Sequence, residues 1–328
     1  MQRYFFVLIL LFSLVLAQPQ KVRVGLGYLP DVQFAPFYLG VVEGLYAQRG
    51  LEVEFQHGFV TELYPLLAQG RLDFVVGDAE DVIVLRAQNP QATPFKYVMA
   101  MYQSVPNAIF SLAEKNIRSV RDLRGKTLGM PGMFGVSLTS LQAMLRAAGL
   151  KESDLRIVQI GFTQAEAVVS GRVDAAMGFI NNEPVFLQAR GVRLNVIPAG
   201  PYNKSPGNGV ITTDRVLENP ELVRRFLAAS QEGLARTLAD PRRGFEAARR
   251  YVPNLGEERM AVLRASVRLY QSPYTRRMGL GFSSPEAWAS SLNLLKQTGR
   301  VQTELPPTAF YTNDFLQPGV QAQAVAGR

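Results

Sequence analysis

From residue 21 to residue 213, segments typical of β-strands alternate with segments typical of α-helices. Residues 21–27, KVRVGLG, and residues 51–56, LEVEFQ, carry apolar side chains at every second position, which is the period of a strand. The helical segment between them, residues 36–48, ends just before Gly50. This β-α-β pattern predicts an α/β fold in which parallel-rich sheets are flanked by helices.

The alternation continues and then gives way to helices. Further strands are predicted at residues 74–76, 96–102, 127–130, 155–160, 175–178 and 193–197. Helices are predicted at residues 62–69, from about residue 81, at 137–148, and then at 219–239, 241–250, 257–270 and 284–298. The small and polar residues 317–328 predict a flexible tail.

One stretch of the chain is repeated. In residues 70–88 and again in residues 171–190, Gly-Arg-apolar-Asp leads into a short strand and a Gly, and an acidic residue opens the next helix. Chance recurrence of a common pattern is one interpretation. The other is two similar lobes that face a shared cleft, where ligands bind at the carboxyl ends of strands. Two lobes would put Asp78 and Glu80 on one wall and Asn182 and Glu183 on the other.

The N-terminal stretch MQRYFFVLILLFSLVLAQPQ is basic at Arg3 and then almost wholly apolar, with small residues before a cleavage point. It predicts a signal peptide over residues 1–17 and an exported, periplasmic protein that is soluble after cleavage. The alternative is that the segment is retained as a membrane anchor.

The composition restricts the chemistry of this chain. It has no cysteine and one histidine, His57, so thiol nucleophiles, disulfides and multi-histidine metal sites are excluded. We therefore expect no catalytic residues, no metal and no cofactor. The net charge of +8 comes from basic residues scattered along predicted helices. Together with an export signal, this charge predicts no nucleic-acid partner.

Aromatic residues are concentrated in the turn after the first strand and in the helix that follows it. Tyr28, Phe34, Phe37 and Tyr38 lie there with Asp31. Asp31 is a candidate helix cap, and one or two of the aromatic residues are expected in the core. Concave ligand sites favour aromatic walls, so we also predict that this turn stacks on a flat ligand.

Two later loops add candidates. Residues 129–141, GMPGMFGVSLTSL, place Phe134 at a loop tip, as a second stacking face or a contact between lobes, and Ser137 at a helix start. Residues 178–186, GFINNEPVF, place Asn182 and Glu183 at another helix start. These two either cap the helix or bond the polar edge of a ligand.

Several of these stretches resemble one family. LPDVQFAPFYLGVVEGLYAQRGLEVEF, GDAEDV, PGMFGVSLTSLQAML and GFINNEPV are similar to substrate-binding proteins of bacterial ABC importers. The group unites alkanesulfonate binders with relatives of the thiamine-pyrimidine synthase. The resemblance covers residues 21–315, and the opening motif and the NEP triplet resemble the branch that handles thiamine pyrimidine precursors and riboflavin.

The resemblance implies a two-lobe periplasmic-binding-protein-like fold (type II) with two hinge strands between the lobes. Residues 21–101 with 207–316 would form the first lobe, and residues 102–206 the second. Gln103, at the first crossing, joins the predicted ligand-binding residues.

The resemblance also implies a function. The chain would act as a monomer that captures a thiamine pyrimidine precursor and delivers it to an ABC permease and its ATPase in the inner membrane. Riboflavin is the first alternative ligand. A sulfonate or nitrate is the second, and it is disfavoured by the acidic residues of the predicted cleft. A synthase is least favoured, because the related enzyme carries a cysteine-rich motif and this chain has no cysteine.

Overall fold

The computed structural model describes residues 18–322. Its first sheet has five strands in the order β2-β1-β3-β10-β4, and its second has five in the order β7-β6-β8-β5-β9. The strands of the first sheet are β1 (Gln20–Leu26), β2 (Leu51–His57), β3 (Phe74–Asp78), β4 (Phe95–Ala100) and β10 (Asn208–Thr213). Those of the second are β5 (Asn107–Leu112), β6 (Thr127–Met130), β7 (Arg156–Gln159), β8 (Ala175–Phe179) and β9 (Leu194–Pro198).

Helices flank both sheets, as expected for an α/β fold. Residues 18–207 contain α1 (Ala35–Val42), α2 (Val60–Ala68), α3 (Ala79–Gln88), α4 (Gly135–Ala148), α5 (Gln164–Val169) and α6 (Glu183–Ala189). The remainder contains α7 (Asp214–Leu217), α8 (Pro220–Ala239), α9 (Pro241–Ala248), α10 (Arg259–Arg268), α11 (Pro273–Met278) and α12 (Pro285–Gln297).

The two sheets have equivalent architectures. In the first, β1 pairs in parallel with β2 and β3, and β10 is antiparallel to β3 and β4. In the second, β6 pairs in parallel with β7 and β8, and β5 is antiparallel to β8 and β9. The sheets are therefore mixed, and four of the five strands in each run in the same direction. The two antiparallel strands, β5 and β10, were not predicted as strands.

The chain crosses between the sheets twice. Residues 101–106 lead from β4 to β5, and residues 199–207 lead from β9 to β10. Below, the first lobe means the first sheet with the helices that cover it, and the second lobe means the second sheet with α4, α5 and α6. The core of the first lobe joins strand residues such as Val24 and Phe74 to Phe226 on α8 and Phe245 on α9, which are all fully buried.

Two local features differ from the prediction. The helix predicted over residues 36–48 is interrupted, because Gly44 adopts a left-handed conformation with φ of +69° that stops α1. Residues 317–321, expected to be flexible, are held to the first lobe. The Gln231 amide bonds the backbone of Gln317 in both directions, and Leu280 N–H donates to the carbonyl of Val320.

The two chain ends lie outside the described residues. The predicted signal peptide, residues 1–17, and the last part of the predicted tail, residues 323–328, belong to these ends. Within residues 18–322, none of the helices combines the length and apolar character needed to cross a bilayer.

Candidate ligand-binding site

A cavity of about 90 Å³ lies between the two lobes. Residues at or just after the carboxyl ends of β1, β2 and β3 form one wall, and residues at or just after those of β6, β7 and β8 form the other. All six strands are in the parallel part of their sheet, so their carboxyl ends meet at the same edge. Ligands of open α/β sheets bind at this edge, and the cavity has that position in both lobes at once.

Two phenylalanine rings meet across the cavity. Phe59, from the loop after β2, stacks on Phe162, from the loop after β7, with ring centroids 4.0 Å apart and an angle of 15° between planes. Tyr28 packs edge-on against Phe162 at 4.5 Å. Phe59 and Phe162 were not among the predicted ligand-binding residues. The signal was present, because the dipeptide Gly-Phe follows β2 in the first lobe and the equivalent strand β7 in the second.

The structure brings most of the predicted ligand-binding residues to this cavity. Its walls include Tyr28, Phe34, Asp78, Phe134, Ser137, Asn182 and Glu183. Asp31 lies in an adjoining groove instead. The walls also contain polar residues that were not predicted, among them Gln33, Gln164 and Asn208.

The structure does not bring Phe37 and Tyr38 to the cavity. Both are fully buried in the core of the first lobe. Tyr38 stacks on Tyr251, with ring centroids 4.3 Å apart, and its hydroxyl bonds His57 Nε2 at 3.0 Å. The reason is the helical period of α1, which turns these two residues towards the core while Phe34, before the helix, faces the cavity.

Glu80 and Gln103 also lie away from the cavity. Glu80 is 1% exposed and accepts a hydrogen bond from Asn203 Nδ2 at 2.7 Å. The Gln103 amide donates to the carbonyl of Phe282 at 3.1 Å and accepts from Ser272 Oγ at 3.1 Å. Both side chains therefore hold protein segments together, and neither is available to a ligand.

The two carboxylate oxygens of Glu183 differ in the strength of their hydrogen bonds. Its Oε2 accepts the Phe179 N–H at 2.9 Å, while Oε1 lies 3.4 Å from both the Tyr28 hydroxyl and Asn182 Nδ2. Burial raises the pKa of Glu183 above its usual value. Side chain and backbone pack closely here, since a Cβ on Gly178 would lie 2.7 Å from Oε2. Oε1 can still accept a stronger hydrogen bond from a ligand.

The residue range 31–244 matches the family model described as NMT1/THI5 like. The chain belongs to the NMT1/THI5-like family. It is 35% identical to the riboflavin-binding protein RibY of Chloroflexus aurantiacus, over 92% of this chain and 88% of that protein. It is 27% identical to the formylaminopyrimidine-binding protein of Halalkalibacterium halodurans, over 68% of each. The 4-amino-5-hydroxymethyl-2-methylpyrimidine phosphate synthase of Legionella pneumophila is 23% identical over 79% of each.

A comparison of structures identifies the fold. The alkanesulfonate-binding protein SsuA from Xanthomonas axonopodis pv. citri, solved with MOPS bound, superposes with a TM-score of 0.70. The match is 16% identical and covers 90% of this chain and 99% of that one. This confirms the predicted two-lobe periplasmic-binding-protein-like fold, and the family match confirms the resemblance. At this identity the structural match carries no information about the ligand.

Beside the cavity, three neighbouring carboxyl groups lie where the two lobes meet. We call Asp78, Glu80 and Asp81 the carboxylate cluster. Asp78, at the end of β3, accepts a hydrogen bond from Asn208 Nδ2 at 2.6 Å, and it receives the Val136 N–H from the start of α4 at 3.5 Å. A Cβ on Gly135 would lie 2.9 Å from Asp78 Oδ2, so glycine permits this approach. Burial, with Asp81 and Glu80 nearby, raises the pKa of Asp78 well above its usual value.

The cluster predicts that stability falls as the pH rises. Burial raises the pKa of Asp81 from 3.8 to about 7, although Tyr64 donates to it. Between these values the folded protein keeps a proton that the unfolded chain releases, so the free energy of unfolding decreases with rising pH. We expect the melting temperature to fall between pH 5 and pH 8, and Asp81→Asn to reduce that fall. Asn keeps an acceptor for Tyr64 but cannot ionise.

The control for this prediction is the exposed Glu221→Gln, which should leave the pH profile unchanged. Asp78 and Glu80 remain ionisable in the Asp81→Asn protein, so part of the slope should persist. A profile of Asp81→Asn that coincides with the wild-type profile would contradict the prediction.

Proposed function

We propose that this chain is the solute-binding component of an ABC importer and captures a flat, uncharged heteroaromatic nutrient between its lobes. One observation carries the proposal: each lobe contributes a phenylalanine, Phe59 or Phe162, and the two rings stack at the interlobe cavity. When the lobes part slightly, this pair offers two apolar faces to a planar ring. Stacking of a ring on each face is worth about 1–3 kcal/mol.

A flavin is the ligand we favour. The relative named as riboflavin-binding is 35% identical over nearly the whole chain, which is a more extensive match than that of the formylaminopyrimidine-binding protein. A thiamine pyrimidine precursor, the first choice from the sequence, is the second candidate. Glu183 supports it, because a carboxylate oxygen with only weak contacts is a good acceptor for an amino group.

The charges of the cavity disfavour an anionic ligand. Within the described part of the chain, the residues that line the cavity include the acidic Asp78 and Glu183 and no lysine or arginine. A sulfonate or nitrate would therefore be buried beside carboxyl groups without a compensating cation, at a cost of several kcal/mol.

The site is suited to capture without turnover. His57 uses both ring nitrogens within the first lobe, with Nδ1 3.0 Å from the carbonyl of Tyr28 and Nε2 3.0 Å from the Tyr38 hydroxyl. Burial also lowers the pKa of His57. The histidine is therefore held as a structural residue and does not line the cavity.

The wider setting follows from this function. We propose that the protein works as a periplasmic monomer, that residues 101–106 and 199–207 act as the hinge, and that the closed form delivers its ligand to a permease. The first lobe then consists of residues 21–101 with 207–316, and the second of residues 102–206.

Calorimetric titration tests the proposed function. We expect the purified mature protein to bind riboflavin with a dissociation constant of about 1 μM or lower. An aminopyrimidine should bind more weakly, and an alkyl sulfonate should give no heat of binding. Binding of the sulfonate alone would overturn the proposal. Tight binding of the aminopyrimidine alone would make the second candidate the ligand.

A further inference from the structure

A second space adjoins the aromatic cavity on its outer side, and we call it the outer groove. Its volume is about 340 Å³. Tyr28, Phe162, Asn182 and Glu183 line both spaces, so a ligand that contacts these side chains can extend from one into the other. The outer groove is closed on the second lobe by α5 and on the first by the segment that leads into α10.

The outer groove is acidic, and the described residues that line it offer no unpaired cation. Glu166 and Glu258 line it, as does Asn254. Among the described residues that line it, Arg259 is the one basic side chain. Its Nε lies 3.1 Å from Asp31 Oδ1 and its Nη2 lies 2.5 Å from Asp31 Oδ2.

The remaining contacts of Arg259 also use its guanidinium. Nη1 donates to Asn182 Oδ1 at 3.1 Å, and the guanidinium carbon lies 5.0 Å from the centroid of the Phe186 ring. The side chain of Asp31 is 2% exposed, so this ion pair is shielded from water. The positive charge of Arg259 is thus balanced within the protein and is not offered to a ligand.

We propose that the outer groove holds an uncharged, polyhydroxylated extension of the ring-shaped ligand and rejects a phosphate ester of that ligand. Hydroxyl groups suit this groove because they donate to the carboxylates of Glu166 and Glu258 and both donate to and accept from Asn254. A phosphate carries about two negative charges at neutral pH and would meet these carboxylates without a free cation. The inference rests on the proposed capture of a flat ring and specifies what that ring carries.

The test compares three flavins that share one ring. Riboflavin has a ribityl chain, lumiflavin has a methyl group in its place, and riboflavin 5′-phosphate adds a phosphate to the chain. We expect calorimetry to give a dissociation constant for riboflavin at least tenfold lower than for either of the others. Equal binding of riboflavin and lumiflavin would overturn the role of the groove in holding the chain. Equal binding of riboflavin and its phosphate would overturn the rejection of the ester.

A pair of variants tests the electrostatic cause. Glu166→Lys combined with Glu258→Lys should improve the affinity for riboflavin 5′-phosphate, relative to riboflavin, by at least tenfold. The control pair Glu221→Lys and Glu114→Lys changes the net charge equally at exposed positions outside the groove and should leave the ratio unchanged. If both double variants change this affinity ratio equally, the discrimination against the phosphate arises from the net charge of the protein. That result would overturn the proposal that the groove causes it. If no flavin binds at all, the flavin proposal itself fails, an outcome distinct from equal binding of all three.

Discussion

Replacing both Phe59 and Phe162 by alanine should weaken riboflavin binding by roughly a hundredfold or more. Each ring offers one stacking face, and the loss of such a face costs about 1–3 kcal/mol, where 1.4 kcal/mol corresponds to a factor of ten in affinity. Each single variant should lose about tenfold. The measurement is calorimetric titration of the purified variants with riboflavin.

Two further variants separate stacking from folding. Phe315→Ala removes a half-buried ring outside the cavity and should leave binding unchanged. Leucine at positions 59 and 162 keeps the apolar volume without the ring and should bind more weakly than wild type but better than the alanine pair. If the double alanine variant is folded and binds riboflavin with wild-type affinity, the ligand does not stack between Phe59 and Phe162.

Replacing Arg259 by methionine should lower the free energy of unfolding by about 3–5 kcal/mol. Removing one partner of a buried ion pair leaves the other charge uncompensated, and Asp31 is almost wholly enclosed. The expected fall in melting temperature is on the order of 10 °C. Burial raises the pKa of Asp31 and Arg259 opposes the rise, so the loss should be smaller at low pH, where the carboxyl takes up a proton.

The matched control is Arg124→Met. Arg124 pairs with Asp154 at 2.8 Å, but its side chain is 63% exposed, and such surface pairs contribute about 0–1 kcal/mol. Adding Asp31→Asn to Arg259→Met should recover part of the lost stability, because it removes the buried charge. Equal melting temperatures for Arg259→Met and Arg124→Met would show that the buried pair has no special role.

The alternation of strands and helices was sufficient to predict an α/β fold with parallel-rich sheets, because both period and element order can be read locally, whereas the two-lobe architecture was predicted from the family resemblance. Strands β1, β2 and β6 lie almost where the apolar pattern put them. The antiparallel strands β5 and β10 escaped prediction for a physical reason. NAIFSL and NGVITT have no period-two alternation, and each strand is paired on both sides with segments distant in sequence.

The rule that ligand-binding residues follow parallel strands predicted Tyr28, Asn182 and Glu183, but Phe59 and Phe162, which follow β2 and β7, were missed although the same rule covers them. This rule could not predict which side chains at the start of α1 face the cavity and which face the core. Phe34 reaches the cavity, whereas Tyr38 turns towards Tyr251, more than two hundred residues further along the chain. Which neighbour buries an aromatic residue depends on tertiary packing, and no local pattern encodes it.

The contact between Phe59 and Phe162 also affects how fast a ligand is exchanged. A planar ring needs about 3.5 Å to each neighbouring face, so it cannot enter between rings whose centroids are 4.0 Å apart. The lobes must part before association, and the rate of association then depends on how often they do so as well as on diffusion. The ligand can leave only if the lobes part again. It must then give up its stacking contacts with both phenylalanine rings, whereas the empty site has the single contact between Phe59 and Phe162. We therefore expect a captured ring to have a long residence time, which fits the proposed role of holding a ligand until it is delivered.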